Sequence, residues 1–367
     1  MTSSETTKRA ATHQFPCPSC GGGMTFHPSD ETLTCPFCET KRAIESGFPH
    51  DVARDLDEAL ATYRASERTS RIFHCESCGG ETELDPYSQA NFCTFCGSSH
   101  VVIHEADEAV TPHAVMPFRT TRQEAERAFR TWVKKRWFAP TTLAQTHQLD
   151  RLQGMYIPYW TFGAETSTDF TVNVGIHYYV TETYRDSNGT MQTRQVQKTR
   201  WHVETGSYYE TFQNVYVRAN HRAFDKLLNK IEPFDFNDLR TYRDEYIAGF
   251  LAERYAIPLD EGWERAATTM DRAIENGIRY QVHGDIVHIL SKRVDYDDRD
   301  YYHLLAPIWV ASYRFNDKSY TFTMNGQTAQ VAGSFPISWV KVVSTIVLSL
   351  FIALAVAYGL DLFEALD

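Results

Sequence analysis

No Gly-Lys dipeptide occurs in the 367 residues, so the chain lacks the phosphate-cradling G-x-x-x-x-G-K-[ST] loop of an ATP-driven motor. Asp57-Glu58-Ala59 and Asp107-Glu108-Ala109 are acidic triplets without that loop, and carry no Mg²⁺ role on their own. H-E-x-x-H and G-x-S-x-G are also missing, which removes the metalloprotease and hydrolase signatures. No cysteine follows Cys96, so the larger part of the chain has no thiol nucleophile. Basic residues are scarce: 36 Lys and Arg stand against 47 Asp and Glu, for a net charge of −11. Binding along a phosphate backbone needs a basic face, so nucleic acid is a disfavoured partner. The first residues, MTSSETTKRAAT, contain no apolar signal-peptide core, and secretion is not expected. His283-Gly284-Asp285 reads as a turn. The run Asp295, Asp297, Asp298, Asp300 lacks the glycine and distal glutamate of an EF-hand loop. These absences point to a non-enzyme.

What the sequence does contain is a cysteine frame, used twice. Cys17, Cys20, Cys35 and Cys38 form C-x2-C-x14-C-x2-C, and Cys75, Cys78, Cys93 and Cys96 repeat it 58 residues later. Phe15, Gly21, Gly22, Pro28 and Phe37 recur at the same offset as Phe73, Gly79, Gly80, Pro86 and Phe95, the mark of an internal duplication. Each C-x-x-C knuckle turns two thiolates toward one ion, and two knuckles complete a tetrahedron that suits Zn²⁺. A rubredoxin-like iron site satisfies the same ligand chemistry. Four protein ligands leave no open position, so two structural ions are expected. A ribbon of about 30 residues has too little core to fold without its metal. A disulfide framework belongs to small secreted chains and a redox C-x-x-C to a βαβ setting, and neither fits here. His27, His74, His100 and His104 are not needed as ligands.

At the other end, Val342–Leu360 is a run of 19 uncharged residues. At ~1.5 Å per residue it is about 28 Å long, matching the hydrocarbon layer of a bilayer. Trp339 and Tyr358 fall at the two interfaces, and Lys341 can snorkel on the N-terminal side. The tail carries Asp361, Glu364 and Asp367 without Lys or Arg. The positive-inside rule then places the N-terminal bulk in the cytoplasm, where reduced thiols also belong. The expectation is a single-pass, tail-anchored protein of the inner membrane.

Between these ends the pattern is α+β. Residues 51–68 read as a helix capped by Asp51, with Val52, Leu56, Ala59, Leu60 and Tyr63 on one stripe, spacing or packing the two ribbons. A second helix is capped at Thr120 or Thr121, shows Ala125, Ala128, Phe129, Trp132 and Val133 on its apolar side, and closes at Pro140. Its basic end, Lys134-Lys135-Arg136 beside Trp137 and Phe138, reads as a solvated last turn favoured by the helix dipole rather than a lipid or RNA contact. Strands are expected over 166–183, 194–203 and 208–217, with a hairpin at Ser187-Asn188-Gly189. Helices follow over 222–231, 238–255 and 261–276. A last β block covers 281–294, 302–315, 319–324 and 327–331, turning at Asn316-Asp317 and Asn325-Gly326. Ile157-Pro158-Tyr159-Trp160 is echoed by Ala306-Pro307-Ile308-Trp309, which allows two related sub-sheets.

The ordered set of paired ribbons, MPFRTTRQEAERAFRTWVKKRWFAP, GMYIPYWTF, YYHLLAPIWVASYRFNDKSYTFTMNGQTAQVAG and a single span covers most of Phe15 to Leu360. It resembles a bacterial family of TFIIB-type zinc-ribbon membrane proteins often labelled primosomal protein N′ (replication factor Y) superfamily II helicase. Ala329 departs from it, standing where the family usually has Gly after the NGQT turn. The helicase label has no motor motif behind it in this chain. Some relatives resemble membrane-stress components that help recruit a flotillin-like (SPFH) protein and phage-shock-type partners. The resemblance therefore implies a membrane-anchored zinc-ribbon adaptor, the alternative being a membrane-tethered nucleic-acid-binding protein. The expected layout is a disordered tail at 1–12, zinc ribbon 1 at 13–48, a helical spacer at 49–71 and zinc ribbon 2 at 72–105. The α+β domain then runs over 110–335, the transmembrane helix over 338–360 and the acidic tail over 361–367.

Overall fold

The computed structural model describes residues 15–45, 47, 53–63, 69–75, 81–83, 101–107, 111–140, 152–185, 187, 189–220, 225–315 and 318–364. The tail 1–12, Asp51, Val52, His100, Cys78, Cys93, Cys96, Asn188 and the Asn316-Asp317 turn lie outside them.

The first ribbon is a small antiparallel sheet of β1 (Phe15–Pro16), β2 (Gly23–His27), β3 (Thr32–Thr34) and β4 (Lys41–Ala43), in that spatial order. After β5 (Arg54–Asp55) and α1 (Leu56–Tyr63) comes a second antiparallel sheet of β6 (Thr69–Cys75), β7 (Glu81–Glu83) and β8 (Val101–Asp107), with β6 central. Its first hairpin repeats the register of the first ribbon. Phe15 faces Met24 and Pro16 faces Gly23; 58 residues on, Phe73 faces Thr82 and His74 faces Glu81.

The body follows: β9 (Ala114–Val115), α2 (Arg122–Lys134), β10 (Gln153–Arg185), β11 (Met191–Arg218), α3 (Asp225–Ile231), β12 (Arg240–Thr241), α4 (Asp244–Ile247), β13 (Leu251–Ala252), α5 (Leu259–Gln281), β14 (Ile286–Phe315), β15 (Lys318–Asn325) and β16 (Val331–Gly333). The main path of its sheet runs β11-β10-β14-β15-β16. β10 has 33 residues, β11 has 28 and β14 has 30. At ~3.3 Å per residue such strands reach on the order of 100 Å. Their far half is an arm, ending in a two-stranded hairpin beyond Gly175, where β14 stops pairing.

Period-two alternation decides what each face of the sheet buries. Met155, Ile157, Tyr159, Leu304, Ala306, Ile308 and Val310 pack on Leu228 and Ile231 of α3 and on Phe234. Their neighbours Tyr156, Leu305, Trp309 and Ala311 point the other way, onto Phe129, Trp132 and Val133 of α2. α2 starts where a capping box forms: Thr121 Oγ1 accepts the Glu124 N–H, and the Glu124 carboxylate accepts the Thr121 N–H at 2.7 Å. Along the arm, α5 covers Trp160, Phe162 and Ala164 with Leu259, Ala266 and Met270, then Phe170, Val172 and Val174 with Ile274 and Ile278.

Several expected boundaries move. The strands expected at 194–203 and 208–217 are one strand. Thr205-Gly206-Ser207 looks like a turn, but Gly206 stays in register opposite Phe170, whose ring lies 2.8 Å from where a Cβ would stand. Likewise the strands expected at 281–294 and 302–315 are one strand, β14, joined through the acidic run; it begins only at Ile286, because Gln281 still belongs to α5. Asp298 takes a left-handed φ of 45° in that run, opposite the Gly163/Glu165 irregularity of β10. No helix fills 238–255. That stretch is broken into β12, α4 and β13, with Gly249 at φ 87°, because it forms the surface on which the first ribbon sits. Ile157-Pro158 and Ala306-Pro307 belong to adjacent strands of one sheet, Ile157 facing Ala306, and not to two sub-sheets. α1 is capped by Asp55, whose Oδ1 accepts the Glu58 N–H at 2.8 Å. It packs Leu56, Ala59 and Leu60 against Trp160 of the body instead of merely spacing the ribbons.

The chain then enters α6 (Trp339–Glu364). Its segment Trp339–Val356 is long and apolar enough to cross a membrane, and none of it is buried in the protein.

Candidate metal centre

Two knuckles bring four thiols to one point. In the first, Gly21 N–H donates to Cys17 O at 2.9 Å and Cys17 N–H to Gly22 O at 2.7 Å. In the second, Glu39 N–H donates to Cys35 O and Cys35 N–H to Thr40 O, both at 2.9 Å. Each tight turn needs a left-handed residue after its second cysteine: Gly21 at φ 73° and Glu39 at φ 59°. Cys17 Sγ lies 3.5 Å from Cys38 Sγ, and Cys20 Sγ 3.5 Å from Cys35 Sγ. All four sulfurs fall within 4.8 Å of one another. A tetrahedron with metal–sulfur bonds near 2.3 Å has edges of about 3.8 Å, so these four cysteines can hold one metal ion.

The electrostatics call for a cation. Burial pushes the Cys17 thiol up, but amide hydrogen bonds from Ser19 and Cys20 and the adjacent thiols bring it down to about 6. The Gly22 amide favours the Cys20 thiolate, yet the crowding thiols of Cys38 and Cys35 push Cys20 up to about 12. The Thr40 hydroxyl and amide lower Cys38. Four thiolates at this spacing repel one another, and a divalent ion removes the conflict. The Thr40 hydroxyl sits 3.2 Å from Cys38 Sγ and 3.0 Å from Ser19 Oγ, bridging the knuckles. Cys17 and Cys35 are buried, whereas Cys20 and Cys38 face solvent.

The buried side of the ribbon rests on the body, a contact that sequence reasoning missed. Cys17, Met24, Leu33 and Cys35 share an apolar cluster with Ala248. Phe26 N–H donates to Ala248 O at 2.9 Å, and the Phe26 ring centroid is 5.6 Å from that of Tyr246 and 6.4 Å from that of Phe250. Charge closes the rim. Arg119 pairs with Glu31 and Asp238, and Arg240 Nε lies 3.4 Å from Glu31 Oε2. Asp238 first, and Glu31 with it, hold the Arg119 guanidinium firmly protonated. Arg119 belongs to the MPFRTT stretch, the signal from which this contact could have been found. A cleft of about 580 Å³ remains between Phe26–Ser29 of the ribbon and Thr121–Glu124 of α2.

Other singled-out residues fall elsewhere. Cys75 ends β6, and its three frame partners lie outside the described residues. His27 stands apart from the thiols, with Nδ1 3.0 Å from Asp30 Oδ1. His283 Nδ1 lies 3.2 Å from Gln281 O, and Asp285 accepts the His177 N–H at 2.6 Å. Asp295 pairs with Arg293 at 3.3 Å, and burial pushes the Asp300 carboxyl up. In the body, His303 N–H donates to His113 Nδ1 at 3.0 Å, and burial keeps His113 neutral as the acceptor.

No family model matches the chain, and no solved structure matches it. It is 27% identical over 337 residues to the uncharacterized protein YdjG of Bacillus subtilis (strain 168), a match covering 89% of this chain and 91% of that one.

Proposed function

We propose that the chain is a single-pass membrane adaptor. Zinc-clamped ribbons, carried on a rigid α+β body, recruit protein partners to the cytoplasmic face of the inner membrane. The observation that carries this reading is the closed thiol site itself. Four protein ligands leave no position for a substrate, and the site's buried side is spent on attachment to a body that leads into an exposed apolar helix. The structural metal is zinc, the usual tetrahedral thiolate ion, and the repeated register of β6–β7 supports a second ion at Cys75, Cys78, Cys93 and Cys96. Phe37 is 79% exposed beside Cys38, an aromatic contact for a partner, and the sequence repeats it as Phe95. Lys341 at the head of the span and the reduced thiols support a cytoplasmic body. The resemblance to TFIIB-type zinc-ribbon membrane proteins extends this to a flotillin-like or phage-shock-type partner in membrane stress.

Crosslinking in intact cells, followed by purification of the detergent-solubilised full chain, tests the role. A defined protein partner is expected, lost in a Phe37→Ala variant that retains its metal. Recovery of nucleic acid without protein overturns the adaptor in favour of the membrane-tethered nucleic-acid-binding alternative.

A further inference from the structure

The basic end of α2 reads from sequence alone as a solvated last turn, but its neighbours give it another use. Ser338 N–H donates to Phe138 O at 2.8 Å, and Lys341 Nζ donates to Ala139 O at 2.7 Å. The turn after α2 is thereby pinned to the first residues of α6. Two sets of exposed apolar side chains come together there. Trp137 is 73% exposed and Phe138 lies open on one side; Trp339 is 75% exposed, with Ile337 and Val340 open on the other. An indole left in water forfeits a large apolar area, whereas the headgroup layer takes both its ring and its N–H.

Charge points the same way. Lys134 and Lys135 are exposed and have no carboxylate partner among the described residues. The α2 carboxylates Glu124 and Glu126 sit in its first turns, Glu126 paired with Arg122 at 3.2 Å, about 12 Å along the helix from Lys134. Arg136 serves as a brace. Its guanidinium lies 4.4 Å from the Trp132 ring centroid and donates to Trp132 O at 3.3 Å, which fixes the direction of the turn.

We propose that Lys134, Lys135, Trp137 and Phe138 form a foot that docks into the anionic headgroup layer beside α6. This second contact would set the tilt of the body on the membrane, and it rests on the reading that α6 spans the bilayer. Anionic lipid is the occupant because the foot joins the head of an apolar helix and offers two ammonium groups, without a carboxylate partner among the described residues, beside open aromatic rings. A lysine near such a surface changes the docked-to-undocked ratio about fivefold, so neutralising both lowers it on the order of 30-fold.

The test uses the full chain in nanodiscs of brominated lipid, either zwitterionic or enriched in phosphatidylglycerol. Comparison with Trp137→Phe and Trp339→Phe isolates the quenching of each indole. Trp137 is expected to be quenched in anionic discs, weakly in zwitterionic discs, and weakly in anionic discs for K134Q/K135Q or at high salt. Trp339 quenched with Trp137 unquenched overturns the foot and leaves the span standing. Neither indole quenched, with the chain extracted from membranes by carbonate, overturns the span and the foot together. RNA retained by the detergent-solubilised chain and lost in K134Q/K135Q, with Trp137 unquenched, assigns the turn to nucleic acid and overturns the lipid contact.

Discussion

Asn325 shows how much one buried polar residue organises. Its Oδ1 accepts the Gln327 and Thr328 N–H groups at 2.8 and 3.0 Å, while Nδ2 donates to Ile231 O at 2.9 Å. One fully buried side chain thus closes the NGQT turn and ties it to α3. Asn325→Ala removes all three bonds and strands the Ile231 carbonyl, a loss of about 3 kcal/mol. The measurement is the denaturant midpoint of the detergent-solubilised chain, with its slope unchanged. Four residues on, Ala329 has φ 59°, where an L side chain is strained and glycine is not. A glycine at this position therefore has a backbone reason. Ala329→Gly is expected to stabilise by roughly 0.5 kcal/mol, the relief of strain being partly offset by the freer unfolded chain. An unchanged or lowered midpoint refutes it.

Elements were legible where local chemistry and tertiary packing agree. The cap at Thr121 and the apolar stripe Ala125, Phe129, Trp132, Val133 both describe α2, although it ends at Lys134, short of the stop expected at Pro140. The cysteine spacing likewise foretold the first thiol cluster. Other elements were hidden by distant partners. Gly206 imitates a turn because Phe170, far away in sequence, needs its space. Residues 238–255 have helical periodicity, but Phe26 and Arg119 recruit them into a docking surface. The long arm also depends on a non-local link, from α5 to β14. Lys292 Nζ lies 2.7 Å from both Asp271 and Glu275. Its hydrogen bond, opposed by some burial, holds the Glu275 carboxyl below its ordinary range. A carboxyl lowered in the folded state contributes stability above its unfolded pKa, near 4.3, and that contribution disappears as the pH falls through the folded value. Lys292→Met is therefore expected to cost about 1 kcal/mol at neutral pH and less in acid, read from denaturation midpoints across the pH range. A cost that does not change with pH contradicts the ion-pair account.

At the scale of the whole molecule, the ribbon and the body depend on each other across more than 200 residues of chain. Phe26 and Ala248 share a hydrogen bond, and Cys17 and Cys35 lie in the same apolar cluster as Ala248. Removing the metal should loosen this contact before it disturbs the arm. Hydrogen exchange after chelation is expected to accelerate at Phe26 and Tyr246–Ala252, while amides of α5 between Met270 and Ile278 remain protected. Equal acceleration in both regions would mean that the ribbon is not a separate clamp on the body. The most direct measurement is the metal content of the purified full chain, compared with Cys17→Ser/Cys35→Ser. The account predicts two equivalents of zinc in the parent chain and the loss of one in the variant; a parent chain without metal, or a variant that keeps all of it, contradicts the account.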